Sequence, residues 1–432
     1  MTGDITRIFK RFISLMGARL LGAVLLFVAN LIIVRVWSED VLGLLAALLA
    51  ANAVLIQIAS GGFSQIATVF TSKYRARGAM GSLSAFQRHA ALVRLVGALL
   101  AIPLTFAYLL WSGGASGLTL AVISVAMGVG VYFTASLFFQ GALLVAYEQQ
   151  VKALLPEILF RPALFLTGIL VAVALGWALT AEALFFYFVL VNGAALLLVT
   201  YFARQEIGRL DATPDSTDRK VWNKSAPPWI VTALVWDFFI EFHILIASFI
   251  AKPAEVAILH ICFRLRMLAG FGMRSLYSLF LPDIYARHEK GEDVSAKIRR
   301  MQVIGTLYGL AVMFGFFLIG EALLSLFGQS FADAWLVLLI VSSVIVARGV
   351  FGPAPQLMAM YGMHVPPSIV MGAALLVSLA AAPFAYSEWG IAGIAACYAV
   401  SSILGSAILW LWLLIATRTR KVSKPDEARV TG

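Results

Sequence analysis

Long apolar segments recur along the whole chain, and a short polar stretch separates most of them from the next. A helix of roughly 20 apolar residues crosses the hydrocarbon core of a bilayer, and glycine or proline inside such a helix is tolerated. The segments of this length are 13–37, 41–69, 91–111, 118–146, 156–177, 183–203, 228–250, 256–281, 302–322, 333–352, 367–386 and 390–416. The pattern predicts an all-α polytopic membrane protein with twelve transmembrane helices.

The composition also indicates a membrane protein. Hydrophobic residues make up 61% of the 432 residues and charged residues 12%, whereas a soluble domain contains about 25% charged residues. An ordinary cytosolic enzyme is therefore excluded, and so is a disordered chain. The net charge of +10 would suggest nucleic acid in a soluble protein. In a membrane protein the positions of the charges matter more than their sum, and no nucleic-acid partner is expected.

The positions of the charges predict the orientation. Arg7, Lys10 and Arg11 precede the first segment, which is too long for a signal peptide and is predicted as a retained helix that starts in the cytoplasm. Most Lys and Arg residues then fall in cytoplasmic stretches, whereas the opposite side keeps Lys252. Both termini are predicted to be cytoplasmic, because one helix more or fewer would exchange the sides of all later loops.

The longest cytoplasmic connection, 204–227, is polar and falls near the midpoint of the chain. It predicts a linker between an N-terminal six-helix lobe, 1–203, and a C-terminal six-helix lobe, 228–416, before a basic cytoplasmic tail, 417–432. The second and eighth helices end alike, in "YRARG" and "YARHEKG". Six helices in each lobe predict parallel repeats about an axis normal to the membrane, an arrangement found in transporters. Chance similarity of apolar segments is the alternative.

The ionisable side chains that are candidates for function stand inside three of the predicted spans, where an arginine or aspartate costs about 2.5–3.5 kcal/mol to insert. They are Arg19 in the first span, Asp237 and Glu241 in the seventh, and His260, Arg264, Arg266 and Arg274 in the eighth. One interpretation is that ion pairs join the seventh and eighth helices. The arginines outnumber the carboxylates, however, and uncompensated positive charge in a bilayer needs an anion or water.

Two different roles are predicted within this set. Arg19 and Arg274 are expected at equal depth in different lobes, roughly 10 Å from the cytoplasmic ends of their helices. Guanidinium groups match phosphate oxygens bidentately, so this pair predicts a fork for a phosphate or pyrophosphate group. The candidates for coupling transport to an ion are Asp237, Glu241 and His260, which are expected at the depth of Arg264. A permanent salt bridge is the alternative.

The remaining polar residues of the spans carry a weaker signal. Those that can bind sugar hydroxyls are Asn30, Asn52, Gln57, Gln65, Gln140 and Asn192. Each by itself is more typical of a helix–helix hydrogen bond. Arg35 is interpreted as an interfacial residue or a structural pair with Glu39. Cys262 and Cys397 lie in apolar runs, so no disulfide, metal site or cofactor is expected.

The stretch from Gly17 to Gly78 resembles the start of the polysaccharide flippases of the multidrug/oligosaccharidyl-lipid/polysaccharide exporter superfamily. The matching features are Arg19, Gly22, Arg35, the acidic turn at Glu39 and Asp40 followed by Gly43, and the basic exit from Tyr74 to Gly78. The eighth helix and its exit are similar to the same family, and the remaining chain agrees in helix count.

The resemblance implies an alternating-access flippase that moves an undecaprenyl-diphosphate-linked oligosaccharide across the bacterial plasma (inner) membrane for surface polysaccharide synthesis. It assigns diphosphate binding to Arg19 and to the eighth-helix arginines, Arg264, Arg266 and Arg274. The implied partners are the lipid-linked oligosaccharide, membrane lipids, and a polysaccharide polymerase or other assembly proteins. No enzyme activity is implied.

Three alternatives differ from this expectation in specific features. A multidrug exporter of the same superfamily should carry an acidic cation-coupling residue in its first helix, and none occurs between Ile13 and Trp37. A peptidoglycan-precursor flippase is expected to have two further helices. A membrane glycosyltransferase, polymerase or ligase needs catalytic groups in a sizeable external loop, whereas the longest external turn is predicted at 323–332.

The predicted topology can be tested with single cysteines introduced into the chain after Cys262 and Cys397 are replaced by alanine. Cysteines within 204–227, 283–300 and the tail after Arg418 should react with a membrane-impermeant maleimide only from the cytoplasmic side. Labelling of the 204–227 stretch from outside would contradict the twelve-helix count.

Overall fold

The structure is a computed structural model. It describes the backbone of residues 2–112, 117–208, 215, 217–236, 238–363 and 365–422, and the side chains of those ranges from 17 to 417 except 111 and 112. The helices that precede the linker are α1 (Thr2–Val36), α2 (Glu39–Ala59), α3 (Phe63–Ala76), α4 (Met80–Ser112), α5 (Gly117–Ala146), α6 (Gln150–Leu155), α7 (Arg161–Ala174) and α8 (Ala181–Ile207). A π-helical turn, Pro156–Phe160, joins α6 to α7.

The later helices begin within the predicted linker. They are α9 (Arg219–Ser225), α10 (Pro227–Trp236), α11 (Phe239–Ile250), α12 (Pro253–Glu289), α13 (Ser295–Ser325), α14 (Gln329–Asp333), α15 (Trp335–Phe351), α16 (Ala354–Met360) and α17 (Val365–Val422). No strand occurs among the described residues. The chain is therefore an all-α protein, as the sequence predicts.

The number of apolar helices agrees with the predicted twelve. Ten stretches of the described chain are single helices, or helices in direct succession, that are long and apolar enough to cross a membrane. The successive helices α10 and α11 supply an eleventh. The longest stretch, α17, contains two helices, because Gly390 leaves helical geometry at φ 58° and ψ −144°. Together these give twelve.

The second predicted span, 41–69, is two helices, so the prediction of one continuous helix was wrong. α2 ends at Ala59 and α3 begins at Phe63, because Gly61 and Gly62 take φ angles of 58° and 78°, a region that favours glycine. Hydropathy gives no sign of this turn, since glycine is common inside membrane helices.

The seventh predicted span, 228–250, also comprises two helices. α10 ends at Trp236 and α11 begins at Phe239, and between them Phe238 has a non-helical backbone with φ −116° and ψ 15°. Glu241 therefore lies in the first turn of α11. Asp237 lies outside the described residues.

The chain folds into two compact units, Met1–Ala257 and Ile258–Gly432. In the first unit α5 packs on α2, α3, α4 and α8, and α10 and α11 pack on α2. In the second unit α15 packs on both α13 and α17. The predicted lobe boundaries at the linker stay a prediction, because packing between neighbouring helices does not report the internal repeat.

Small residues allow the helices of the first unit to approach closely. A Cβ on Gly22 of α1 would lie 1.8 Å from the carbonyl oxygen of Ile158, and a Cβ on Gly43 of α2 would lie 1.8 Å from that of Pro253. A larger side chain would push the paired segments apart. Close contact between backbones is a usual reason for small residues in membrane helices, and it explains two of the glycines in the Gly17–Gly78 stretch.

The linker is anchored to the first unit by a buried tryptophan. Trp222 of α9 is fully buried, and its Nε1–H donates to the hydroxyl of Tyr74 at 2.6 Å. The Tyr74 hydroxyl in turn donates to Oδ2 of Asp218 at 2.8 Å. The Trp222 ring also packs edge-on against Phe86 at 5.4 Å between centroids. Burial raises the pKa of the Tyr74 phenol, so the hydroxyl keeps its proton and can donate to the carboxylate.

Further contacts hold the same segment. The ring of His89 donates from Nε2 to the side-chain oxygen of Asn223 at 2.8 Å, and the backbone N–H of Asp215 donates to the carbonyl of Gly81 at 3.1 Å. The part of the linker that the structure describes is thus packed on the ends of α3 and α4, whereas its polar sequence alone indicates an extended connection.

Replacing Tyr74 by Phe should lower the free energy of unfolding by about 1–3 kcal/mol, because the buried Nε1–H of Trp222 then loses its acceptor. Thermal unfolding of the purified protein in detergent would measure this as a lower midpoint. Tyr201→Phe is the matched control, since Tyr201 is exposed and should change stability by less than about 0.5 kcal/mol. Equal midpoints for the two variants would contradict an anchoring role for the Tyr74–Trp222 bond.

Candidate anion-binding site on the eighth helix

The helix α12 corresponds to the eighth predicted span, 256–281. It carries most of the candidate ionisable residues that the sequence places inside apolar spans. Its start is fixed by Glu255, whose Oε2 accepts a hydrogen bond from the backbone N–H of Lys252 at 3.0 Å. From Ile258 onward the helix belongs to the second unit. His260, Arg264, Arg266 and Arg274 of this helix are all described, and each has a different environment.

His260 and Arg264 form a pair along one face of α12. His260 is buried, and its Nε2 accepts a hydrogen bond from Nε of Arg264 at 3.4 Å. An imidazole nitrogen that accepts a bond carries no proton, so the ring in this arrangement is neutral and holds its proton on Nδ1. The one-turn spacing of the two residues predicts this contact.

Arg266 is the most deeply buried arginine of the second unit. Its side chain is 6% exposed, and its guanidinium carbon lies 5.3 Å from the ring centroid of Tyr398 on α17. Tyr398 is held in place by an edge contact with Phe263, at 4.8 Å between centroids. Nε of Arg266 has no hydrogen-bond partner within the described chain. The aromatic ring stabilises the charge from one face and leaves N–H donors for another group.

Two further arginines, Arg274 and Arg348, are close enough to Arg266 to interact with it electrostatically. Arg274 is exposed, with its guanidinium 5.6 Å from the ring of Phe271. Arg348 is half-buried in the last turn of α15, where its backbone carbonyl accepts a bond from the hydroxyl of Tyr277 at 2.5 Å. The positive charges of the second unit therefore cluster around one helix.

No carboxylate accompanies these arginines in the sequence of the surrounding spans. Neither Asp nor Glu occurs from Val256 to Pro282, from Ser295 to Gly320 or from Ala334 to Ser387. The first acidic residue after the cluster, Asp283, pairs with Arg287 at 3.3 Å. The apolar spans of α12, α13, α15 and α17 thus supply positive charge and aromatic rings but no acid to neutralise them.

The predicted residues of the first unit are found in two kinds of environment. Arg19 is exposed on α1 and makes no hydrogen bond or ion pair with a described residue. Glu241 is half-buried at the start of α11. Arg19 and Arg274 belong to different units, and their fork stays a prediction.

Several of the polar residues considered for sugar binding make bonds within or between helices instead. Asn52 donates to Sδ of Met127 at 3.5 Å, and Gln65 donates to Oε1 of Gln57 at 2.6 Å. Asn192 accepts from Nη1 of Arg161 at 3.4 Å. These contacts favour the interpretation of such residues as structural links.

Sequence reasoning missed two arginines of interest. Arg94 and Arg348 fall in the predicted spans 91–111 and 333–352 but were not among the predicted site residues, and Arg94 is buried within α4 while Arg348 lies within α15. The available signal was the absence of Asp and Glu around each of them. Cys262 is buried and free, and Cys397 is half-buried and free.

Comparison with solved structures identifies the fold. A multidrug resistance MATE family transporter of the MOP superfamily, in an inward-facing conformation, matches with a TM-score of 0.75 and 15% identity over 95% of this chain and 99% of that chain. The lipid II flippase MurJ, in an inward closed conformation, matches with a TM-score of 0.74 and 13% identity over 94% and 87% of the respective chains. The chain therefore shares the fold of these two transporters. No protein-family model matches the sequence, and no curated protein sequence is similar to it.

Arg266 is buried in a helix that is long and apolar enough to cross a membrane, so its charge carries the cost of leaving water. Holding a charge in an apolar interior costs several kcal/mol per ion, whereas a cation–π contact returns only about 2 kcal/mol. Arg266 is therefore expected to lower the stability of the folded chain, which is typical of residues kept for binding.

The substitution Arg266→Met should leave the thermal unfolding midpoint in detergent unchanged or raise it, because replacing a buried charge by an apolar side chain of similar volume is often neutral or stabilising by about 1–4 kcal/mol. Tyr398→Phe is the control and should be close to neutral, since the ring face is retained. A clear drop in the midpoint of the methionine variant would show that Arg266 is a structural residue.

Proposed function

We propose that this chain is an alternating-access flippase for an undecaprenyl-diphosphate-linked oligosaccharide. In this proposal it moves the lipid from the inner to the outer leaflet of the bacterial plasma membrane for the synthesis of a surface polysaccharide. The observation that carries the proposal is the set of arginines on α12 and α15, which lies in spans without a single carboxylate.

The charge of the cargo is the first argument. A diphosphate diester is anionic, and guanidinium groups bind its oxygens through paired, charge-assisted hydrogen bonds. Arg264, Arg266 and Arg274 offer such donors along one helix, and Arg19 on α1 offers another from the first unit. A cationic drug would instead be repelled by this set, and the absence of Asp and Glu from Ile13 to Trp37 removes an acidic residue from the first helix.

The fold is the second argument. The lipid II flippase MurJ has the same fold, so this architecture also serves a flippase for a lipid. The MATE transporter with the same fold is a multidrug resistance protein, so multidrug export is the second candidate. The two candidates require opposite charge at the binding site, and the arginines favour the anionic cargo.

Coupling to an ion is assigned to Asp237, Glu241 and His260. His260 is bonded to Arg264, so protonation of its ring would break that bond and free the guanidinium for the cargo. Glu241 and Asp237 are proposed to exchange the cation that resets the empty transporter. A polysaccharide polymerase or another assembly protein would receive the exported lipid.

Purified protein in proteoliposomes should flip a fluorescent lipid diphosphate oligosaccharide, measured as the fraction of label that a membrane-impermeant quencher reaches. Arg19→Ala and Arg274→Ala should each lower the initial rate about 10- to 100-fold, because a hydrogen bond to a charged group contributes about 1.5–3 kcal/mol. Lysine at either position should restore the rate only in part, since it lacks the planar fork.

Arg300→Ala is the control, because Arg300 is exposed near the start of α13 and should retain the wild-type rate. Normal flipping by both alanine variants would refute the anion fork. Flipping of the lipid by none of the proteins, together with uptake of a cationic dye by the wild type, would instead establish the multidrug candidate.

A further inference from the structure

Arg94, near the middle of α4, is buried in the first unit with only 4% of its surface exposed. Among the described residues it shares this depth of burial with Arg266 alone of the arginines and lysines. Arg94 belongs to a different unit from the α12 arginines, so the site proposed above does not account for it.

The contacts of Arg94 satisfy only part of its guanidinium. Nε donates to Oγ of Ser136 at 3.4 Å, and the guanidinium carbon lies 4.0 Å from the ring centroid of Phe139. Nη1 is buried without a hydrogen-bond partner in the described chain. A guanidinium has five N–H donors, and one long bond and one ring face leave a buried donor facing no acceptor.

The face of α5 opposite Arg94 offers further donors. Tyr132, Ser136 and Phe139 are spaced four and three residues apart, so they lie on one stripe of the helix. Ser136 accepts from Arg94 through its oxygen and keeps its own hydroxyl hydrogen for another acceptor. Tyr132 is close enough to interact electrostatically with Arg94, and its hydroxyl makes no hydrogen bond with a described residue. The donors of Arg94, Ser136 and Tyr132 therefore lie near one another on two adjacent helices.

Neither of these two helices contains a carboxylate that could accept hydrogen bonds from the three donors. The sequence from Val41 to Tyr147, which contains all of α2 after its first turn, α3, α4 and α5, has neither Asp nor Glu. α8, which also packs on α5, carries its acidic residues only at its two ends, as Glu182 and Glu206. Of these, Glu206 is paired with Lys152. The single positive charge of Arg94 is therefore not balanced by a carboxylate of these helices.

We propose that Arg94, Ser136 and Tyr132 form a binding site for a small, singly charged inorganic anion such as chloride inside the first unit. One positive charge balances one negative charge, whereas a phosphate or diphosphate group would bring excess negative charge and more oxygens than three donors can serve. The aromatic ring of Phe139 covers the other face of the guanidinium and excludes water from that side.

Bound there, the anion would join α4 to α5 and cancel the cost of the buried charge, so the stability of the first unit would depend on the anion. A ligand that binds only the folded chain raises its unfolding midpoint with concentration. This inference does not depend on the identity of the transported lipid, because the site lies on other helices and is measured by binding.

The experiment follows the thermal unfolding of the purified full-length protein in detergent. Chloride replaces gluconate at constant ionic strength, since gluconate is a singly charged anion much larger than chloride. The wild type should show a saturable rise of the midpoint with chloride. Arg94→Gln should abolish the chloride response, and Ser136→Ala and Tyr132→Phe should each weaken the apparent affinity about tenfold or more. Arg88→Gln, an exposed position of the same helix, should respond like the wild type.

Three outcomes would overturn the proposal. A wild-type midpoint that is the same in chloride and gluconate means that no such site exists. If Arg94→Gln does not fold, the serine and tyrosine variants decide, and an unchanged chloride response in both of them refutes the site. Competition of inorganic pyrophosphate with chloride would assign Arg94 to the diphosphate of the cargo. Loss of chloride binding with unchanged lipid flipping would separate this site from the proposed function.

Discussion

The cost of holding positive charge inside an apolar helix bundle is the constraint on which the rest of this structure depends. Arg266 and Arg94 are both buried, and each lies over an aromatic ring, Tyr398 in one unit and Phe139 in the other. A cation–π contact offsets at most about 2 kcal/mol, which is less than the several kcal/mol that burial of an ion costs. Both residues therefore oppose stability, and their presence indicates a function that needs a positive charge at depth.

The acidic residues lie away from the buried arginines. In both units the long apolar spans that surround a buried arginine contain no Asp or Glu, and the acidic residues lie at helix ends, as Glu206 and Asp283 do in their pairs with Lys152 and Arg287. The two pairs therefore lie outside the long apolar spans. The spans around Arg94 and Arg266 supply no carboxylate to balance these two buried charges.

Backbone contacts supply the rigidity that such sites require. Gly22 and Gly43 allow carbonyl oxygens of other segments to approach their helices to distances that no Cβ permits, and the linker is fastened through Trp222 to Tyr74. These contacts lie within the first unit. They show that the resemblance over Gly17–Gly78 rests in part on packing, since two of its glycines are explained by close contacts and Tyr74 by a buried hydrogen bond.

The sequence by itself determined the helical class and the twelve spans, because hydropathy reports burial in a membrane, and it placed His260 and Arg264 one turn apart on a helix. Tertiary structure alone decided which charges are buried and what they contact. Nothing in the sequence marked Arg94, at the start of the predicted span 91–111, or Trp222, in the linker, as buried, yet both are. Side chains from distant segments create these environments, and no local pattern in the sequence records which helix lies opposite another.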